Sequence, residues 1–160
     1  MHTLAPLRPG PAARRRGPAS QPGQAYLVTL CACGRLPLFA DHAVAHAMCR
    51  ALADRRLWPD AWLLAWVLMP DHWHALIQLG EPGCLRTVVG RLKTHTARVL
   101  PELIARPVWE HGFHDHALRR EQKLKAVARQ IIMNPVRAGI ADSPRTYAYW
   151  DAVWLPAGAA

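Results

Sequence analysis

The chain has 160 residues, a length that suits one domain with a real core. Its 20 Lys and Arg against 11 Asp and Glu give a formal net charge of +9, which favours a polyanionic partner, nucleic acid before membrane. The longest apolar run, AWLLAWVLM at 61–69, is about half of what spans a bilayer, so a membrane protein is excluded.

Residues 1–23 are rich in Pro, Gly, Ala and Arg and have no apolar stretch, so they read as a flexible basic tail ahead of a domain over 24–155. Arg14, Arg15 and Arg16 can touch phosphates there, or simply be solvated. AYLVTLCA at 25–32 predicts a strand, followed by the turn CGRLP. Residues 41–56 predict a helix capped by Asp41, with Val44, Met48 and Leu52 inward and Arg55 and Arg56 at a basic end. Residues 61–69 predict a buried strand, Met69-Pro70-Asp71 a tight turn shaped by Asp71, and 72–79 a second strand.

Residues 84–100 predict a helix with Leu85, Val88, Val89, Leu92 and Val99 inward, and Arg91, Lys93, His95 and Arg98 on other faces. PVWEHGFHDHAL at 107–118 reads as extended and broken at Gly112, a helix follows over about 120–133, and NPVRAG closes it. The segment from Tyr147 to Leu155 adds edge structure. The order β-α-β-β-α-β plus a further helix predicts an α+β fold: a ferredoxin-like, RRM-like antiparallel sheet with helices on one face and a C-terminal helix carrying the active-site segment.

Cys31, Cys33, Cys49 and Cys84 form no C-x-x-C pair, so they read as reduced thiols of a cytoplasmic protein. Cys31 and Cys33 share one strand face, which leaves a Cys/Cys/His/His zinc site conceivable without the usual knuckle. The stretch LMPDHWHALIQL at 68–79 holds the sharper signal. Alternate strand residues project to one face, so His72 and His74 share a face while Trp73, Ala75, Ile77 and Leu79 share the other. Two imidazoles spaced about 7 Å along a strand can converge on one ion, or can be ordinary satisfied histidines. In VARQIIMNPVRAG, residues 127–139, Gln130 and Asn134 lie four apart on one helix face. Asn134 precedes Pro135, which biases it away from helix, so it offers either a hard oxygen donor or a plain terminator, with Gly139 as C-cap.

MPDHWHALIQL, then LKTHTARVL, then VWEHGFHDHALRREQKLKAVARQIIMNPVRAGI together resemble the REP-associated tyrosine transposases, domesticated relatives of the single-tyrosine HUH insertion-sequence transposases. The resemblance runs from about Tyr26 to Trp150. It implies that His72, His74 and Asn134 hold a divalent metal, Mg²⁺ or Mn²⁺, which polarises the scissile phosphate of single-stranded DNA. It further implies a tyrosine, one helical turn before the asparagine, that attacks the phosphate, forms a 5′-phosphotyrosine and releases a 3′-OH. The implied substrate is a hairpin-forming REP element with a short flanking sequence.

This chain departs from the pattern at one point. Where the family reads YIxxNPVRAG, it reads QIIMNPVRAG, so Gln130 fills the nucleophile's slot. A carboxamide has no ionisable oxygen and forms no stable phosphoester. The only tyrosines are Tyr26, Tyr147 and Tyr149, and the last two either reach the site by another route or pack as aromatics. Two functions follow: an enzyme that nicks and joins DNA hairpins, or a hairpin-binding protein that has lost strand transfer.

Arg137, Lys93, Arg129, His116 and Arg119 are the expected DNA contacts, within a wider basic set that includes Arg91, Arg98, Arg120, Lys123 and Lys125. Trp73 and Trp109 can stack on bases or belong to the core. Partners are single-stranded or hairpin DNA, the state monomer or homodimer. A metal-free RRM-like binder would need an RNP pattern, which the sequence lacks.

Overall fold

The computed structural model describes residues 20–100, 104, 107–119 and 123–155. Arg14, Arg15, Arg16 and Arg120 therefore lie outside the described residues. In chain order the elements are β1 (Ala25–Cys31), α1 (His42–Leu52), β2 (Ala61–Met69), β3 (His72–Leu79), α2 (Leu85–Val99), β4 (His114–Ala117), α3 (Leu124–Ile132), α4 (Asn134–Arg137) and β5 (Trp150–Ala152). The strands form one antiparallel sheet in the order β4-β1-β3-β2-β5, the split βαβ arrangement extended by β5.

β3 is central because its sequence is apolar on both sides, and a strand covered on both faces loses the polar alternation of a half-exposed one. Trp73, Ala75, Ile77 and Leu79 join Tyr26, Val28 and Leu30 of β1 in a core under α1 and α2. On the opposite face Leu76 joins Ala65, Val67 and Met69 of β2, and α3 closes over them with Val127, Ala128 and Ile131. The first two helices thus share one face, and the C-terminal helix takes the other.

Asp41 caps α1 as expected, accepting from the N–H groups of Ala43 and Val44 at 2.9 and 3.1 Å. The helix stops at Leu52 rather than Arg56. Asp54 ends it by taking the N–H of Arg56 with its carboxylate at 3.0 Å, a local bond that competes with the helical ladder. Val99, expected inward, is 44 % exposed at the last position of α2, and Thr96 takes the inward place. The Thr96 hydroxyl accepts from Trp109 Nε1 at 2.8 Å. Trp109 and Trp73 are buried in the core under α1 and α2, so neither presents a face on which a base can stack. The last residues of the segment read as a tail are attached to the domain: Ser20 accepts from the Leu85 N–H, and Gly23 donates to Leu79.

Asn134 does not end the helical path. Met133 keeps near-helical angles (φ −78°, ψ −2°), Pro135 sits in the first turn of α4 where its missing N–H costs nothing, and the Asn134 carbonyl accepts from Ala138. The stop comes at Gly139, which takes φ 69° while its N–H bonds Val136 and the Ile140 N–H bonds Pro135. α3 and α4 therefore form one nearly continuous arm over the sheet. Because Ile131 is the largest of the buried side chains of α3, Ile131→Ala should lower the unfolding free energy by about 2–5 kcal/mol in a denaturant titration.

Candidate functional site

The cross-strand register fixes which side chains meet beneath α3. His72 pairs with Cys31 and Met69, and His74 pairs with Thr29 and Val67. Both histidines face α3, as the two-residue period requires. Their rings meet edge to face with centroids 4.6 Å apart. Each is held at Nδ1: His72 by Asp71 Oδ1 at 2.6 Å, and His74 by Thr29 Oγ1 at 2.8 Å. With both Nδ1 atoms engaged, each ring keeps Nε2 for another partner.

Burial sets the protonation of the pair. Desolvation is the main cause that takes His74 from its ordinary 6.5 down to about 3, and the nearby His72, Arg35 and Arg137 add to it. Burial also lowers His72, although the Asp71 carboxylate partly offsets the shift. Both rings are neutral near pH 7, the state in which imidazole binds a metal.

The arm above them carries the other candidates. At roughly 100° per residue, Leu124, Val127, Ala128 and Ile131 form its inward stripe. Asn134 sits on one shoulder of that stripe, and Gln130 and Arg137 lie further round the same flank. Arg137 reaches back along this flank to donate to the Gln130 carbonyl. The Asn134 amide nitrogen donates to the Ile131 carbonyl at 2.9 Å, which leaves its oxygen as an acceptor. Gln130 is exposed, and Arg129 lies on the outer side of the helix.

On the same sheet face, His114 of β4 is in register with Thr29, and His116 with Leu27. This extends a polar row from His74 through Thr29 to the sheet edge, where His116 is exposed and Arg119 follows. Lys93 is tied into the fold: its half-buried ammonium donates to the carbonyls of Glu110 (2.8 Å) and Gly112. Arg91 is likewise engaged, its guanidinium meeting Asp60 at 2.8 and 3.0 Å.

The tyrosines are all accounted for elsewhere. Tyr26 is buried on the opposite face, its hydroxyl accepting from the Gln21 N–H. Tyr147 donates to the Leu68 carbonyl at 2.6 Å, on the edge of β2 turned towards β5, and burial raises its pKa to about 12. Tyr149 is bonded to His42 Nδ1 at 2.5 Å. The zinc site imagined for Cys31 and Cys33 is not formed: Cys33 leaves the strand for a 3₁₀ turn, and among the described residues no three His, Cys, Asp or Glu gather around a point. No helix among them is long and apolar enough to cross a membrane.

The sequence profile of the IS200-like transposases matches residues 21–129. The chain belongs to that family. The match takes in both histidines and stops one residue short of Gln130. Among solved structures, a REP-associated tyrosine transposase bound to a REP hairpin has the same fold, with a TM-score of 0.67 and 20% identity over 87% of this chain and 82% of that one. A putative transposase from Deinococcus radiodurans aligns at a TM-score of 0.48 and 16% identity, over 77% of this chain and 95% of that one. No curated protein sequence matches the chain.

Sequence inspection found the histidine pair but missed Thr29, Asp71 and Arg35, whose roles depend on register and loop path. Neutral, buried His74 has a consequence for stability. A folded-state pKa of about 3 against an ordinary 6.5 means that the unfolded chain takes up the proton first as pH falls. Metal-free protein should therefore lose stability from about pH 6.5 downward, by up to about 1.4 kcal/mol per unit from this group. Replacing His74 with Gln should flatten that slope in denaturant titrations at pH 5 and pH 7; an unchanged slope would mean that His74 is not the group responsible.

Proposed function

We propose that this IS200-like transposase family member binds hairpin-forming repetitive DNA, with a divalent metal at His72, His74 and Asn134, and that strand transfer through a phosphotyrosine is closed to it. The observation that carries the reading is the pair of neutral imidazoles, tied at Nδ1 and, among the described residues, unbonded at Nε2, under the arm that bears Asn134. Two imidazole nitrogens and a carboxamide oxygen form a donor set that suits Mg²⁺ less well than Mn²⁺, although either can enter such a site. When bound, the metal would polarise a phosphate oxygen as a Lewis acid.

The chain's own groups supply position and charge. His72 and His74 stay neutral because they are buried, and Asn134 offers its oxygen because its nitrogen is already bonded to Ile131. Arg137, on the same flank as Gln130, is the first choice for a phosphate contact. His116 and Arg119 extend the proposed interface along the β4 edge, and Arg129 stands further off on the outer side of α3. DNA with a hairpin is the chosen substrate class because the structural relative carries a REP hairpin.

Position 130 decides the chemistry. Nucleophilic attack needs an oxygen within reach of the phosphate, and the Gln130 carboxamide offers no ionisable one. Tyr26 lies on the wrong face, and the hydroxyls of Tyr147 and Tyr149 are bonded at the sheet edge and to His42. Hairpin DNA with single-stranded flanks, incubated with the protein and Mn²⁺, should be bound and should yield no covalent protein–DNA adduct on a denaturing gel. Gln130→Tyr should gain an adduct; a wild-type adduct would overturn the proposal.

Binding by phosphate contacts has a salt signature. Arg137→Ala should weaken hairpin binding severalfold in fluorescence anisotropy and reduce the slope of log K against log salt by about 0.7–1. An unchanged slope would remove Arg137 from the interface.

A further inference from the structure

A chain of side chains runs behind His72, on the Nδ1 side of its ring. Asp71 Oδ1 meets His72 Nδ1 at 2.6 Å, and Asp71 Oδ2 meets the Arg35 guanidinium at 3.0 Å. The same guanidinium donates to Cys31 Sγ at 3.1 Å, and Cys31 is the β1 partner of His72 in the register. The carboxylate is thus held on one side by a cation while its other oxygen faces the ring.

Arg35 reaches this position at a conformational cost. Its φ is 54°, the only positive value among the described non-glycine residues, and it follows Gly34 at φ 65°. Left-handed backbone disfavours a side chain with Cβ, and such residues persist where surrounding contacts over-determine them. At Arg35 those contacts are the Arg35 N–H bond to Ala32 at 2.9 Å and the two guanidinium bonds to Asp71 and Cys31. A glycine would satisfy the loop more easily, so the backbone alone does not account for an arginine there.

We infer that Asp71, held by Arg35, is a positioning group that locks His72 in the tautomer with its proton on Nδ1, leaving Nε2 unprotonated and able to hold a metal. An ionised carboxylate accepts and cannot donate, so the ring nitrogen facing it carries the proton. That fixes ring orientation as well as tautomer, the part a carboxylate commonly plays behind a metal-bound histidine. Thr29 does not impose the same choice on His74, because a hydroxyl can donate or accept. The two histidines are therefore unequal: His72 is committed in advance, and His74 is free to adjust. The metal part of this inference rests on the proposed function; the tautomer part does not.

Two readouts separate them. Long-range ¹⁵N–¹H spectra of the metal-free protein near pH 7.5 should show His72 protonated at Nδ1, and Asp71→Ala should shift it towards the Nε2–H form. Calorimetric titration with Mn²⁺ should show affinity weakened about 10–100-fold in Asp71→Ala. Arg35→Gly should weaken it by a smaller factor while the melting temperature holds or rises, because glycine suits the left-handed backbone. A merely structural ion pair predicts the reverse for Arg35→Gly: a lower melting temperature and unaltered affinity. An Nε2–H tautomer at His72 in the wild type, or Mn²⁺ affinity within twofold of wild type in both variants, overturns the inference. Failure of the wild type to bind Mn²⁺ while His72 remains Nδ1-protonated would instead count against the proposed metal site and leave the carboxylate lock in place.

Discussion

The site depends on a single strand, β3, being covered on both faces. Trp73, Ala75, Ile77 and Leu79 bury one side under α1 and α2, so the alternate residues must turn towards α3. A slip of one residue would carry His72 and His74 into the apolar core and expose Trp73. The register is held by the volume of that tryptophan and its neighbours, so the apolar core positions the polar pair. The two-residue spacing of the histidines and their common orientation have the same physical origin.

Burial then acts in two directions on that face. It makes the charged imidazole unfavourable, which keeps both rings neutral, and it makes an unpaired ring nitrogen costly. Asp71 and Thr29 answer the second demand at Nδ1. The remaining ring nitrogens define what the site can bind. The positive field of Arg35 and Arg137 at His74 strengthens the same preference, since a neighbouring cation disfavours an imidazolium and favours an anionic ligand such as a phosphate.

Much of this was legible in the sequence wherever a periodic pattern carried the information. β1, β2, β3 and α2 fall within a residue of the ranges read from AYLVTLCA, AWLLAWVLM, HWHALIQL and the helix at 84–100, because apolar runs and flanking turns mark them. The shared face of His72 and His74 was legible for the same reason. The expected end of the helix at Asn134 does not occur because the bias before proline is local, whereas burial of Pro135 and Ile131 holds the arm helical. The bonds of Lys93 to the carbonyls of Glu110 and Gly112 are not legible because those carbonyls lie 17 and 19 residues along the chain. The bonds of Asp71 with Arg35 and of Thr29 with His74 cross between segments, and composition carries no trace of them.

Position 130 separates what the proposed metal site needs from what covalent chemistry would need. The proposed cation site would need neutral nitrogens, an oxygen donor and a rigid frame, which the proposal draws from β3, β1, the turn between β2 and β3, and Asn134 of the arm. The requirement for covalent chemistry is one ionisable oxygen on the exposed flank of α3. Gln130 is solvent-exposed, whereas the arm docks through the buried Val127, Ala128 and Ile131. Replacement at position 130 has little structural cost, whereas replacement of His74 or Ile131 would disturb the buried face itself. A fold built this way can therefore vary at position 130 without disturbing the buried face that carries the histidine pair.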